Sequence, residues 1–278
     1  MSQQHAGEVS SGERFEFGKN WAAFLKLVDD RRIRDAEESL AAMLETADLS
    51  GKRFIDIGCG SGLFSLAARR MGATVHSFDY DPHSYNCTKE LRQRYFSHDE
   101  NWKVEQGSVL DQDYLKSLGT FDIVYSWGVL HHTGQMWQAL ANVAPMVAPG
   151  GRLFIALYND QGGASRRWTW VKRMYNKHPM LRMPILLGSF WRLYWRGMLK
   201  DLALLRPGHI FREQDKNNRG MAVWRNLVDW VGGYPFEVCK AEQVFDFYRE
   251  RNFALTRLFT DDGLGCHQFV FVKTDRKI

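Results

Sequence analysis

The chain has 278 residues, of which 45% are hydrophobic and 25% are charged, as in ordinary soluble globular proteins. Its four cysteines are scattered without a CxxC pair, and its polar start lacks the apolar core of a secretory signal. These features argue against a disulfide framework, a zinc site and export, and they predict a cytoplasmic protein with a frayed N-terminal tail. The net charge of +5 is concentrated, because residues 161–225 carry fourteen Lys/Arg and only three Asp/Glu.

Strands and helices are predicted to alternate between residues 29 and 160. An amphipathic helix begins at Asp29, ends near Gly51 and buries one stripe: Ile33, Ala36, Leu40, Leu44 and Ala47. Strands are predicted at 53–58, 74–79, 102–108, 121–129 and 152–159, with helices at 59–72, 81–96 and 134–147 between them. This alternation is typical of a parallel sheet with right-handed crossovers, which binds ligands at the carboxyl ends of its strands.

The pattern changes after residue 160. Residues 161–235 are basic and rich in tryptophan, with several short helices interrupted by proline: Pro179, Pro184, Pro207 and Pro235. Their longest apolar stretch, 183–191, is too short to span a bilayer. A further helix should bury Val244, Phe245 and Tyr248, and the runs 254–260 and 267–273 read as an antiparallel hairpin.

The predicted architecture is therefore a Rossmann-like α/β fold with a seven-stranded, mostly parallel sheet. An antiparallel C-terminal hairpin completes the sheet, and a helical insertion follows the fifth strand. We divide the chain into an N-terminal tail and helical cap (1–50), a cofactor-binding core (51–160), a basic aromatic lid (161–235) and a closing helix and hairpin (236–278).

A glycine-rich turn follows the first strand. It has the pattern D-x-G-x-G-x-G, with Asp56 before three glycines: Gly58, Gly60 and Gly62. Glycines let the backbone approach a ligand closely, but a dinucleotide fingerprint would need a glycine where Leu63 stands, so the spacing argues against an NAD enzyme. Asp79 ends the second strand, where a carboxylate can accept hydrogen bonds from both ribose hydroxyls. The alternative is an ordinary loop or helix-capping aspartate, a role that Asp81 before Pro82 suits better.

Five motifs follow one another along residues 53–160: IDIGCGSG, HSFDYDP, GSVLD, YSWGVLHHTG and VAPGGRLFIA. In that order they resemble the class I S-adenosylmethionine-dependent methyltransferase family. The run FEFGKNW (15–21) resembles the start of a bacterial subgroup described as ubiquinone-biosynthesis-like methyltransferases.

The resemblance implies S-adenosylmethionine as the cofactor and assigns roles to matching positions. The three glycines would line its methionine and ribose portions, with Asp56 holding the loop or reaching the amino group. Asp79 would hold the ribose. The adenine would meet Tyr80, Ser108 and Val109, although many members carry an aspartate where this chain has Ser108. The backbone at Ser126 and Trp127 would meet the methionine portion. The segment ending at Trp21 would fold over the cofactor, unless its aromatics only dock the first helix.

Four side chains near the expected sulfonium are candidates for catalysis. His131 and His132 follow the fourth strand. One of them could act as a general base, and we expect at least one of the two to have a structural role. Tyr158 and Asp160 end the fifth strand and could orient or deprotonate an acceptor, although Asp160 could equally be a solvated loop residue.

The basic insertion has three interpretations. It could be a lid over a small-molecule acceptor, a membrane-surface element, or an RNA-binding segment. We favour the lid, because the insertion follows the strand whose end faces the acceptor, and we expect no nucleic-acid partner, with transient membrane contact left open. The predicted function is therefore in-line methyl transfer from S-adenosylmethionine to a small-molecule acceptor. An RNA-modifying methyltransferase, a membrane-surface lipid or quinol methyltransferase and a non-catalytic binding module are the rival functions, and the sequence leaves the oligomeric state open.

Overall fold

The fold is organised by one seven-stranded sheet. The computed structural model describes residues 2–204, 206, 209 and 223–274. Its strands are β1 (Arg53–Ile57), β2 (Thr74–Asp79), β3 (Trp102–Gln106), β4 (Phe121–Trp127), β5 (Val147–Tyr158), β6 (Phe253–Phe259) and β7 (Cys266–Lys273). The order is β3-β2-β1-β4-β5-β7-β6, with β1 to β5 parallel and β7 antiparallel to both β5 and β6. The predicted fold, including the terminal hairpin, is confirmed.

Helices cover both faces of the sheet. The described helices are α1 (Ser2–Ser10), α2 (Gly18–Leu25), α3 (Asp30–Leu44), α4 (Leu63–Arg70), α5 (Pro82–Tyr95), α6 (Gln112–Leu118), α7 (Met136–Val143), α8 (Gly163–Lys177), α9 (Arg182–Ala203), α10 (Val223–Gly232) and α11 (Ala241–Arg249). Apolar side chains of α2 to α5 pack on one face, and those of α6, α7 and α11 pack on the other. None of these helices is both long and apolar enough to cross a membrane.

The N-terminal region departs from the sequence prediction. The expected frayed tail contains helix α1, whose His5 is buried. Helix α3 ends at Leu44, because Glu45 adopts a left-handed conformation, and Ala47 is exposed rather than part of the buried stripe. The stripe itself is confirmed at Ile33, Ala36, Leu40 and Leu44.

Later elements also differ in detail. Strand β5 begins at Val147, five residues earlier than predicted, and the sequence did not indicate helix α6. Phe245 is half-buried rather than in the core, with the Arg249 guanidinium 5.2 Å from its ring centre. Pro184 does not interrupt the insertion, because it lies in the first turn of α9, where a missing N–H costs no helical hydrogen bond. Helix α9 therefore runs for 22 residues. Pro207 lies outside the described residues.

The insertion has an apolar core of its own. Buried side chains from α8, α9 and α10 pack together with Phe236: Trp168, Tyr175, Leu186, Tyr194, Leu227 and Val231. The segment after α10 then returns to the main domain, where the Glu237 amide donates to the His131 carbonyl oxygen at 3.0 Å and the Cys239 amide donates to the Tyr158 carbonyl oxygen at 3.0 Å. These bonds fix the insertion against the ends of β4 and β5.

Candidate active site

A cavity of about 1360 Å³ lies at the carboxyl ends of the parallel strands. One end, here called the cofactor half, lies beyond β1, β2 and β3 and is lined by the glycine turn, Asp79, Tyr80 and residues 107–111. The other, the acceptor half, lies beyond β5 and is lined by Tyr158 and by side chains of α9, α10 and the loop 261–266. Residues of α1, α2 and the segment between them cover both halves.

The glycine turn has the left-handed backbone that glycine favours. Gly58, Gly60 and Gly62 have φ angles of +77°, +56° and +80°. Gly58 and Gly60 line the cavity, whereas Gly62 lies outside its lining, at the start of α4 and against Thr88. A Cβ atom on Gly60 would come 3.2 Å from the Trp21 indole, so this ring covers the turn directly. The turn fits a ligand that needs close backbone approach.

Asp79 connects the second strand to this turn. Its carboxylate accepts hydrogen bonds from the Gly60 and Asp81 amides, both at 2.9 Å, while the side chain still lines the cavity. Asp81, not Asp79, caps α5 by accepting from the His83 amide at 2.8 Å. Burial raises the pKa of Asp79 to about 7. The carboxylate therefore fits the role of a ribose-hydroxyl acceptor that a cationic ligand would keep ionised.

Asp56 lies beneath the turn at the end of β1. It lines the cavity, is buried, and accepts a 2.5 Å hydrogen bond from the Ser65 hydroxyl. Burial raises its pKa to about 7. This bond links β1 to α4, so Asp56 is placed to hold the turn in shape.

Other predicted cofactor positions also lie on the cavity wall. Ser108 and Val109 line it after β3, with the Ser108 hydroxyl accepting from the Leu110 amide at 3.2 Å. Trp127 lines it after β4 and donates its indole N–H to Gln268 at 3.2 Å. Ser126 is outside the lining, where its hydroxyl donates to the Ile57 carbonyl oxygen at 2.9 Å.

The N-terminal segment is joined to the cavity wall through polar contacts that the sequence did not indicate. The Tyr80 hydroxyl donates to Glu8 at 3.1 Å, and Arg14 pairs with the same carboxylate at 2.5 Å. Arg14 also donates to the His132 carbonyl oxygen at 2.9 Å, and its guanidinium lies 5.0 Å from the Tyr80 ring centre. Glu8 and Arg14 therefore join α1 to the adenine-side wall and to the loop after β4.

The two histidines occupy different positions. His132 lines the cavity, and its Nδ1 lies 2.5 Å from the Pro235 carbonyl oxygen, so Nδ1 carries the proton and Nε2 is left as an acceptor. His131 is fully buried outside the lining, where its Nδ1 accepts from the Tyr158 amide at 3.2 Å. Burial lowers the pKa of both rings, that of His132 to about 3. Both are neutral at pH 7.

Tyr158 and Asp160 are also separated. Tyr158 lines the acceptor half, with its ring centre 5.6 Å from that of His132. Asp160 does not line the cavity, and its carboxylate accepts from the Gly162 amide at 2.8 Å within the turn that leads into α8. Of the four catalytic candidates, the cavity thus brings together His132 and Tyr158.

A carboxylate that the sequence analysis missed also lines the acceptor half. Asp229 of α10 accepts a short hydrogen bond from the Asn20 amide group, and the positive charge of the buried Lys172 acts on its carboxylate without an ion pair between the two. Lys172 donates to the Trp230 carbonyl oxygen and lies between two rings, with its Nζ 4.6 Å from the Trp230 centre and 4.7 Å from the Phe236 centre. Burial raises the pKa of Asp229 and lowers that of Lys172, each to about 7.

Comparison with known proteins gives a family match across most of the chain. A family model described as "Methyltransferase domain" matches residues 28–217. The ubiquinone biosynthesis O-methyltransferase of Rhizobium leguminosarum bv. trifolii is 32% identical over 111 residues, covering 40% of this chain and 42% of that protein. The tRNA U34 carboxymethyltransferase of Methylococcus capsulatus is 32% identical over 121 residues, covering 43% of this chain and 36% of that protein. The chain thus spans less than half the length of these two relatives.

A solved structure supports the same fold. Magnesium protoporphyrin IX methyltransferase from Synechocystis PCC 6803, crystallised with bound SAH, superposes with a TM-score of 0.53 at 14% identity. The match covers 87% of this chain and 83% of that one.

Proposed function

The chain belongs to the methyltransferase domain family, and we propose that it is an S-adenosylmethionine-dependent methyltransferase that acts on a small, largely apolar molecule. The observation that carries this proposal is the acceptor half of the cavity. Aromatic and aliphatic side chains make up most of its wall: Phe17, Tyr158, Leu193, Tyr194, Leu227, Trp230 and Leu264. Its polar side chains include Asn226, Asp229 and Asp261. A mostly apolar pocket with a small number of placed polar groups is typical of small-molecule sites.

The cofactor half supports specific binding roles. Asp79 would accept from the ribose hydroxyls, while the Gly58–Gly60 backbone and Trp127 would flank the methionine portion. Tyr80, Ser108 and Val109 would enclose the adenine, and Trp21 would cover the turn. Gly62 would act by shaping the turn from outside the cavity, since its own Cα hydrogens face Thr88.

When bound, S-adenosylmethionine supplies a methyl group already activated on a sulfonium. The chain's own task is then to align the acceptor, exclude water and receive a proton where the acceptor carries one. Tyr158 and His132 Nε2 can hydrogen-bond an acceptor in the same half of the cavity. With a pKa of about 3, His132 is a weak base, so its role in this proposal is orientation.

Asp229 is better suited to take the proton. Its pKa of about 7 matches the pH at which general bases work best, and the charge of Lys172 favours the ionised carboxylate. The proton of an acceptor hydroxyl would move to the Asp229 carboxylate as the oxygen–methyl bond forms and the sulfur–methyl bond breaks. His131 and Asp160 would support this site from outside the cavity.

A second candidate is methylation of RNA. It rests on the excess of basic residues in 161–225 and on the similarity to a tRNA-modifying enzyme over 43% of this chain. Such an enzyme should bind RNA with a steep salt dependence, whereas a small-molecule enzyme should not. The apolar acceptor half favours the small molecule.

The test has two parts. Calorimetry should give saturable binding of S-adenosylhomocysteine to the full chain, and a lack of binding would overturn the cofactor roles. Methyl-labelled S-adenosylmethionine is then incubated with the protein and either a small-molecule extract or purified tRNA. Label that enters only the organic-soluble fraction supports the proposal, and label that enters only tRNA overturns it.

A further inference from the structure

Helix α9 carries an apolar row on its solvent side. Met183, Leu187, Trp191 and Leu199 recur at multiples of four residues, and their exposed fractions are 55%, 57%, 61% and 53%. Leu202, which is 70% exposed, extends the same side. Scattered surface apolar residues are ordinary, but a row of this length on one helix is not. We call these five residues the α9 stripe.

The insertion's own core does not cover this stripe. Leu186 and Tyr194 are the buried apolar residues of α9, and Ile185, Phe190 and Met198 pack partly against the same core with side chains of α8 and α10. The stripe therefore lies beside the buried face of α9 and not within it. Its exposure is a property of the folded chain.

A basic row lies next to the stripe. Arg192, Arg196 and Lys200 each follow the apolar row by one residue, which places them about 100° further around the helix. All three are exposed, and none forms an ion pair with another described residue. Their charge is therefore available to an external anion.

A second basic feature lies between α8 and α9. Arg167 and Arg192 line one groove of about 250 Å³, together with Trp168, Val171 and Ile185. Ser189 is the other polar side chain of its lining. Two guanidinium groups at one groove are suited to phosphate oxygens, which they can bind in bidentate fashion.

We propose that the α9 stripe and its basic row dock this protein onto an anionic phospholipid bilayer. An apolar face with Trp and Leu beside a Lys/Arg face is the arrangement of helices that lie in the membrane interface. The anionic headgroups would meet Arg192, Arg196 and Lys200, while the stripe would enter the acyl boundary. Leu193 and Tyr194 of the same helix line the acceptor half of the cavity, so the helix that would meet the bilayer also forms part of the cavity wall.

Two other occupants fit less well. A second copy of the chain in a two-fold contact along α9 would bring the basic row against itself, with repulsion between like charges. RNA would satisfy the arginines but would leave Met183, Leu187 and Leu202 in contact with water. The bilayer accounts for both rows, and this inference goes beyond the proposed reaction without depending on it.

The experiment measures co-sedimentation of the full chain with phosphatidylcholine vesicles and with mixed phosphatidylcholine–phosphatidylglycerol vesicles. One variant carries Leu187→Ser, Trp191→Ser and Leu202→Ser, and a second carries Arg192→Gln, Arg196→Gln and Lys200→Gln. A matched control carries Leu258→Ser and Phe259→Ser on β6, whose side chains are 45% and 55% exposed. Thermal melting and S-adenosylhomocysteine binding are measured on every variant, so that loss of the fold or of the cofactor site is recognised separately.

We expect binding to the anionic vesicles only, with the charge variant about a hundredfold weaker at low salt, since each interfacial Lys/Arg adds about 1 kcal/mol. The serine variant should also lose binding, while the β6 control should keep it. Absence of parent binding to either vesicle, or equal binding by parent and serine variant, would overturn the proposal. So would light scattering that shows a dimer lost in the serine variant, or tighter binding to tRNA than to vesicles.

Discussion

The Gly60 amide donates a 2.9 Å hydrogen bond to the Asp79 carboxylate, so the glycine turn after β1 is tied to the end of β2. Both residues line the same cavity. A change at Asp79 should therefore act on the ligand and on the shape of the turn together.

The first prediction concerns this carboxylate. Asp79→Ala should weaken S-adenosylhomocysteine binding about a hundredfold, because a carboxylate contributes roughly 1.5–3 kcal/mol for each hydrogen bond that it accepts from the ribose. Calorimetry measures the change. The exposed Asp113→Asn on α6 is the control and should bind as the parent does. Parent-like affinity in Asp79→Ala would show that the ribose lies elsewhere.

The affinity should also depend on pH. Burial raises the pKa values of Asp79 and Asp56 to about 7, so both are mostly protonated in the free protein at pH 6 and mostly ionised at pH 8. Since the ionised form accepts the ribose hydrogen bonds, affinity for S-adenosylhomocysteine should rise by about tenfold over this range. Asp79→Asn should flatten the rise in a calorimetric pH series. An unchanged slope in that variant would assign the titration to Asp56 or to another group.

The sequence predicted the core of this site because its signals are local. Asp56, the glycines and Asp79 stand at the ends of strands, and the order of strands along the chain brings these ends to one edge of the sheet. Asp229 gave no such signal. It contacts Asn20, and comes within the electrostatic influence of Lys172, only through the packing of α2, α8 and α10, which are far apart in the chain.

Helix α1 shows a similar limit. Its sequence has few apolar residues, and its place is set by distant contacts, His5 with Asp81 at 3.8 Å and Glu8 with Tyr80 at 3.1 Å. Periodicity within nine residues does not contain that information. The length of α9 was missed for a different reason, since a proline in the first turn resembles a helix breaker when the start of the helix is unknown.

A third prediction tests the N-terminal closure. Glu8→Gln weakens both the Tyr80 and the Arg14 contacts, so S-adenosylhomocysteine should dissociate several-fold faster, with a smaller change in its association rate. Stopped-flow displacement measures the rate. Glu38→Gln, on the exposed face of α3, should leave dissociation unchanged. Equal rates for both variants and the parent would mean that α1 does not retain the ligand.

The fourth prediction concerns the proton acceptor. With the acceptor found by the labelling experiment, Asp229→Asn should lower turnover by about a hundredfold, which is the lower end of the range expected for loss of a general base. Its affinity for S-adenosylhomocysteine should stay near that of the parent. As the pH is lowered below about 7, Asp229 is protonated and the parent's rate should decrease. This acidic limb of the pH–rate profile should disappear in the variant. A retained limb would assign the proton transfer to another group.

The last prediction uses Lys172, whose side chain is fully buried. Because burial lowers its pKa from 10.5 to about 7, the unfolded chain holds more protons than the folded chain between these pH values, and stability from this group rises with pH. Lys172→Met should therefore raise the free energy of unfolding at pH 7 by about 1–4 kcal/mol, because the variant avoids the cost of burying this amine, about 1.4 kcal/mol for each unit by which its pKa is lowered, while it loses the hydrogen bond to the Trp230 carbonyl oxygen.

The gain from Lys172→Met should shrink as the pH approaches 10, because the parent then regains stability. Loss of the lysine also raises the pKa of Asp229, so ionising this buried carboxylate lowers the stability of the variant further as the pH rises. Urea unfolding at pH 7 and pH 9.5 measures both values, with Lys177→Met on the exposed end of α8 as the control. A Lys172→Met protein that is less stable than the parent by the same amount at both pH values would mean that the ammonium is a net stabilising partner of Asp229 and Trp230.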